Sequence, residues 1–283
     1  MKTAIKVLTV ADLLFMLFLS FSGSLQGWVS EVVFALSFLI PSAVGIYYAR
    51  ALHRQREEEI GAHIKWEYQI GMKREYVLPA ICVIFPSIFV IMGVSYLSNL
   101  LMNALGLPGG SAIENEGLGI MLLSHALVPA LLEEILFRYL PMKLVAPYSK
   151  RVCIALSAIY FSLMHFNAAS LLYTALAGVI FIVIDIAFDS ILPSLILHAI
   201  NNGVNVLMIK YCVNRESYTV FFACILALSV ISLGYIIGRR KYFVGALRRA
   251  FAKENGESTD ISYAPAILIA TAVLVTLSNL FIS

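Results

Sequence analysis

Residues 118–144 read LGIMLLSHALVPALLEEILFRYLPMKL, and the fold turns on what this stretch is. As a helix it is about 40 Å long, enough to cross the ~30 Å hydrocarbon core of a bilayer. From Leu118 to Leu132 only His125 is ionisable, yet Glu133, Glu134 and Arg138 follow inside the apolar run. The rest of the chain tells whether lipid or protein surrounds it. Of the 283 residues, 60% are hydrophobic and 13% are charged, and the mean hydropathy is +0.88. Soluble domains run at roughly 45–50% apolar and about 25% charged, so a water-soluble fold is disfavoured. Lipid offers backbone amides no partners, so long apolar stretches cross it as helices. The chain lacks the alternation of a transmembrane β-barrel.

Working outward from 118–144, apolar spans are expected at 4–22, 30–50, 77–102, 118–144, 152–166, 168–187, 190–209, 217–238 and 263–282. The fifth and sixth share almost no loop and read as a tight hairpin. The run from Val7 to Phe21, behind Lys2 and Lys6, has the look of a signal peptide. Asp12 lies inside it and no convincing small-residue cleavage site follows, so it reads as a retained first helix. The expectation is one all-α, polytopic transmembrane bundle over 1–283. It has about nine spans, two substantial loops (51–76 and 239–262) and no internal repeat.

Charge fixes the orientation. Residues before Val7 and the segments 50–74, 143–151 and 239–253 hold seventeen of the twenty Lys and Arg residues. The alternate loops hold only Lys210 and Arg215, and Arg138 lies within a span. Positive residues favour the cytoplasmic side, so the N-terminus is placed there. Residues 51–76 mix Glu57, Glu58 and Glu59 with Ile60, Ile64 and Trp66, which reads as an amphipathic elbow on the inner surface or a solvated charge run. Residues 239–262 read as a basic cytoplasmic loop. Cys82, Cys153, Cys212 and Cys224 form no CxxC pair and read as small apolar residues.

An ionisable group at mid-membrane costs at least about 2.5–3.5 kcal/mol on insertion scales and is usually functional or paired. On one helix Glu134 and Arg138 are i, i+4 and can pair, whereas Glu133 points about 100° away and lacks a local partner. Pro129 removes an amide from the helical ladder just before them. Further along, Phe161 and His165 close the fifth span, and His198, Asn202 and Asn205 share the seventh. By rise per residue, Glu133 and His198 lie about 15 and 12 Å from the inner ends of their spans, and His165 about 20 Å. A lone buried His more often makes a helix–helix hydrogen bond, and a Glu–Arg pair alone is more often structural. Asp12, Asn99, His125, Asp185 and Asp189 are read as packing, span ends or structural bonding. Glu133, Glu134, Arg138, His165, His198 and Asn202 collect at compatible depths, which favours function.

These patterns, E-E-x-x-x-R at Glu133-Glu134…Arg138, F-x-x-x-H at Phe161…His165 and H-x-x-x-N at His198…Asn202, resemble the CPBP family of intramembrane proteases. That family is also called Abi or type II CAAX prenyl endopeptidase. The match covers about residues 118–205 and implies an eight-helix core with an added C-terminal span. It implies Glu133 as the base that activates water, His165 and His198 as groups holding that water or a metal, and Asn202 as the oxyanion donor. Glu134 and Arg138 would be supporting residues, and Phe161 would line the site. No cofactor is favoured. A divalent metal such as zinc on Glu133, His165 and His198 is the alternative, although no H-E-x-x-H helix is present. The implied partners are the lipid bilayer and a membrane-associated peptide or lipidated protein, with no nucleic acid. A proton-coupled transporter and a catalytically silent scaffold are the competing readings. The first lacks an inverted repeat, and the second lacks degraded motifs.

Overall fold

A computed structural model describes residues 1–22, 24–61, 70–105, 117–165, 168–212 and 215–252. The expected last span, 263–282, and Trp66 lie outside the described residues. Among those residues the protein is all-helical, without strands. Nine helices follow one another: α1 (Lys2–Ser22), α2 (Trp28–Ile60), α3 (Arg74–Ala104), α4 (Leu118–Leu144), α5 (Lys150–Leu163), α6 (Ala168–Phe188), α7 (Leu192–Tyr211), α8 (Arg215–Gly238) and α9 (Arg240–Phe251). All of these except α5 and α9 are long and apolar enough to cross a membrane. The protein is an integral, multi-pass membrane protein. Exposed Ile231, Val220, Leu97 and Leu78 suit a lipid-facing surface.

Two expectations change. The fifth span was expected over 152–166, but α5 has 14 residues and reaches only about 21 Å. Ser149 caps it, its Oγ accepting from the Val152 amide at 3.3 Å, and the helix ends at Leu163 so that His165 stands on a turn. Of the segments read as loops 51–76 and 239–262, residues 51–60 and 240–251 are helical. Nothing breaks the helix between Arg50 and Ile60, so α2 runs on for 33 residues, about 50 Å, to a left-handed Gly61. Its overhang is fastened by Arg56, which donates to the Pro147 carbonyl at 3.0 Å. Within 239–262, Phe243, Ala246 and Ala250 share one face and bury it, while Arg240, Arg248 and Arg249 stay exposed. That pattern makes α9 an amphipathic helix.

The core around the motif helices is aromatic. Phe15 of α1 lies 4.6 Å from Phe38 of α2 and 5.6 Å from Phe137 of α4. Phe137 in turn lies 5.9 Å from Phe161 of α5, which lies 6.2 Å from Phe181 of α6. Such edge and tilted contacts join five helices and fix the depth of α4 against α5. Ser157 on α5 also donates to the Phe137 carbonyl.

The α5–α6 hairpin is closed through a small-residue contact. A Cβ placed on Gly178 would lie 2.9 Å from the Ala158 Cα, which is backbone and cannot swing aside. Gly178→Val should therefore force α5 and α6 apart and cost about 1–3 kcal/mol. Gly93, with nothing within 4 Å of such a Cβ, provides the control. Thermal unfolding in detergent should show Gly178→Val lowered and Gly93→Ala near wild type; equal midpoints would discount the close approach.

Candidate active site

Two breaks in α4 present its carboxylates. Pro129 and Pro141 lack amide donors and crowd the carbonyls four residues back. Around them the helix opens into π turns at Leu123–Leu127 and Ile135–Tyr139, with Glu133 and Glu134 on the α-helical segment between. Single π turns of this kind are frequent at functional sites.

Glu134 is fully buried and heavily bonded. Its Oε1 lies 2.7 Å from His198 Nδ1, and its Oε2 accepts from Ser194 Oγ at 2.7 Å. Arg138 Nε stands 3.5 Å from Oε2, so the expected i, i+4 pair is present. Ser194 Oγ also lies 2.6 Å from Asp185 Oδ2, and the Ser194 amide donates to Asp185 Oδ1 at 3.0 Å. One hydroxyl carries one proton, so its contacts with two carboxyl groups require a proton shared along Asp185–Ser194–Glu134. The Arg138 guanidinium is fully buried, 4.0 Å from the Phe161 ring centroid and 5.2 Å from that of Phe181. The same two rings flank His198 at 5.6 and 5.1 Å.

Glu133 was expected to lack a local partner, and along α4 it has none among the described residues. Across the bundle its Oε2 faces His198 Nε2 at 3.7 Å, so this one imidazole stands between both glutamates. The distance exceeds a hydrogen bond, and Oε2 is buried without a hydrogen-bond partner among the described residues. Its side chain is 17% exposed, against 0% for that of Glu134. His165 lies within electrostatic range of Glu133 and His198. Its Nδ1 is 2.7 Å from the Phe161 carbonyl, which leaves Nε2 free, and its ring packs 4.9 Å from that of Phe161. Asn202, one turn beyond His198, is half-buried, and its Oδ1 accepts from Asn201 at 3.4 Å.

A cavity of about 460 Å³ is lined by Tyr173 of α6, Asn201 and Asn205 of α7, Ser95 and Asn99 of α3, and Tyr218 of α8, among others, with no charged side chain among the described residues. Asn201 and Asn205 share α7 with His198 and Asn202, but none of Glu133, Glu134, His165, His198 and Asn202 is in the described lining.

Ser194 and Phe181 were not singled out from the sequence. Ser194 precedes His198 by four residues on the same helical face, which was the available signal. Asp185 was assigned to structural bonding and is found in it. For a metal, Glu133, His165 and His198 were the possible ligands. Among the described residues no group of three His, Cys, Asp or Glu side chains is arranged to hold an ion. His165 keeps Nε2 as its one available ligand atom, with Nδ1 on the Phe161 carbonyl.

Residues 115–204 match the family model described as type II CAAX prenyl endopeptidase Rce1-like. This segment is similar to the Rce1-like domain. It contains every motif residue described above, from Glu133 to Asn202, and the family it matches is one of peptidases. Neither the curated proteins nor the solved structures compared with the chain gave a significant match.

The bonding within the Rce1-like segment makes Arg138 the counter-charge of a buried acidic pair. Arg138→Ala should destabilise the protein by about 3–5 kcal/mol, since it leaves carboxylates uncompensated. Adding Glu134→Gln should restore part of that loss. Unfolding in detergent checks both, and an Arg138→Ala variant as stable as wild type would remove the ion pair from its structural role.

Proposed function

We propose that the protein is an intramembrane endopeptidase that hydrolyses a peptide bond of a membrane-associated peptide or a CAAX-like lipidated protein, with Glu133 as the base. One observation carries the reading: Glu133 Oε2, without a partner, faces His198 Nε2, while the other nitrogen of that imidazole is tied to Glu134. A carboxylate accepting from Nδ1–H sets the tautomer, so the neutral ring offers Nε2 as an acceptor. A water at the apex of the Glu133–His198 gap can then donate one proton to each group, and its lone pairs are turned toward the substrate.

The steps follow from these roles. The water oxygen bonds to the scissile carbonyl carbon while Glu133 takes one of its protons. The carbonyl π electrons move to oxygen, and the Asn202 amide donates to that oxyanion. When the tetrahedral intermediate collapses, the C–N bond breaks and Glu133 returns the proton to the leaving amine. The products are a carboxylic acid and an amine, which exchange a proton to become carboxylate and ammonium. His165 Nε2 helps hold the water, and Phe161 keeps both imidazoles in place. Glu134, Ser194 and Asp185 orient His198 and do not touch the substrate. The uncharged cavity of Tyr173, Asn201 and Asn205 suits a peptide chain, whose amides pair with side-chain amides and hydroxyls.

Glu133→Gln should lower the cleavage rate by at least about a hundredfold, the usual worth of a positioned general base, with normal folded yield. Peptides compared by mass spectrometry between cells with wild-type and Glu133→Gln protein would reveal both activity and substrate. Cleavage retained in the variant would take the base role away from Glu133.

A further inference from the structure

We propose that an anionic phospholipid binds at the end of the bundle where α9 lies, its phosphate seated among Arg74, Arg239 and Arg249. The three arginines line one cavity of about 630 Å³ formed by α3, α8, α9 and the residue joining the last two. Arg74 opens α3, Arg239 links α8 to α9, and Arg249 sits in the last turn of α9. Glu75 is the one carboxylate in the lining among the described residues, so three cations there face one anion. None of the three arginines forms an ion pair among the described residues. Surface arginines far apart in sequence gather in this way at a cost in mutual repulsion, which a bound anion removes.

Further observations point to the same ligand. The first turn of α3 lines the cavity, and Lys73 at its N-cap makes no side-chain cap bond. Unpaired amides at a helix N-terminus, together with its dipole, favour phosphate. Tyr235 and Tyr242 also line the cavity, and the Tyr242 hydroxyl is buried without a hydrogen-bond partner among the described residues. Leu78 and Pro79 form an apolar wall, and Leu78 is 54% exposed. Val244 and Leu247 on α9 are exposed as well. A cationic seat beside apolar surface matches a headgroup with acyl chains attached, whereas a free phosphate would use only half of it. Basic pockets between membrane helices hold anionic headgroups by this combination. The buried Phe243, Ala246 and Ala250 keep α9 against the bundle, so Arg249 is held over the cavity.

The test measures lipid retention by native mass spectrometry of the purified full chain. Phosphatidylglycerol, phosphatidylcholine and inorganic phosphate are supplied separately. Wild-type protein should retain phosphatidylglycerol at least about tenfold better than phosphatidylcholine. Removing each arginine should weaken retention about fivefold, so R74Q/R239Q/R249Q should lose about a hundredfold. R240Q/K241Q/R248Q removes the same charge from the same end but none from the lining, and it should behave as wild type. R249Q alone should lose about fivefold and reports on the site if the triple variant folds poorly. Equal losses in both triple variants would reduce the site to general surface charge. Displacement of the lipid by an equal concentration of inorganic phosphate would overturn the lipid assignment.

Discussion

Glu134 is shut away from the protein surface, and four other groups depend on how it is satisfied. It lies fully buried between α4 and α7, bonded to His198 and Ser194 and paired with Arg138. A carboxylate in such a place is tolerable only if each lone pair is engaged. Through Ser194 the demand passes to Asp185 on α6, and through Arg138 to the faces of Phe161 and Phe181. Three helices are thereby drawn onto one charged centre. The outcome is a single imidazole with one nitrogen committed and the other facing Glu133.

The neighbouring glutamates thus divide two tasks by environment alone. Glu134 is closed off and spends its oxygens on structure. Glu133, one residue earlier and partly exposed, keeps an oxygen free. The π turns on either side of the pair belong to the same design, because they let α4 carry two prolines without losing its packing against α7. The aromatic chain from Phe15 through Phe137 to Phe161 carries that rigidity to α1 and α5.

Much of this was legible in the residues. Apolar length placed the helices from α1 to α8 within a few residues, except that α2 runs ten residues past its expected end, and 118–144 matches α4 at both ends. The i, i+4 rule found the Glu134–Arg138 pair. What failed was the inference from one helix at a time. A helical wheel shows Glu133 turned away from its neighbours on α4, but it cannot show that His198 arrives from α7 with a nitrogen on either side. Rise per residue assumed an unbroken fifth span, whereas α5 stops at Leu163 and His165 stands on a turn. Ser194 was passed over, despite its i, i+4 spacing to His198, because a serine in an apolar helix usually bonds its own backbone. The helix α9 was hidden by its charge, since Phe243, Ala246 and Ala250 signal burial only once a bundle exists to receive them.

The orientation of His198 is therefore the point on which the account stands. Solid-state ¹⁵N NMR of histidine-labelled protein in bilayers, with a His198→Gln sample to assign the signal, reads the protonation of each ring nitrogen. A His198 ring protonated at Nδ1 is the result expected from its bond to Glu134. A neutral ring protonated at Nε2 with a bare Nδ1 would contradict it, because that nitrogen could not donate to Glu134.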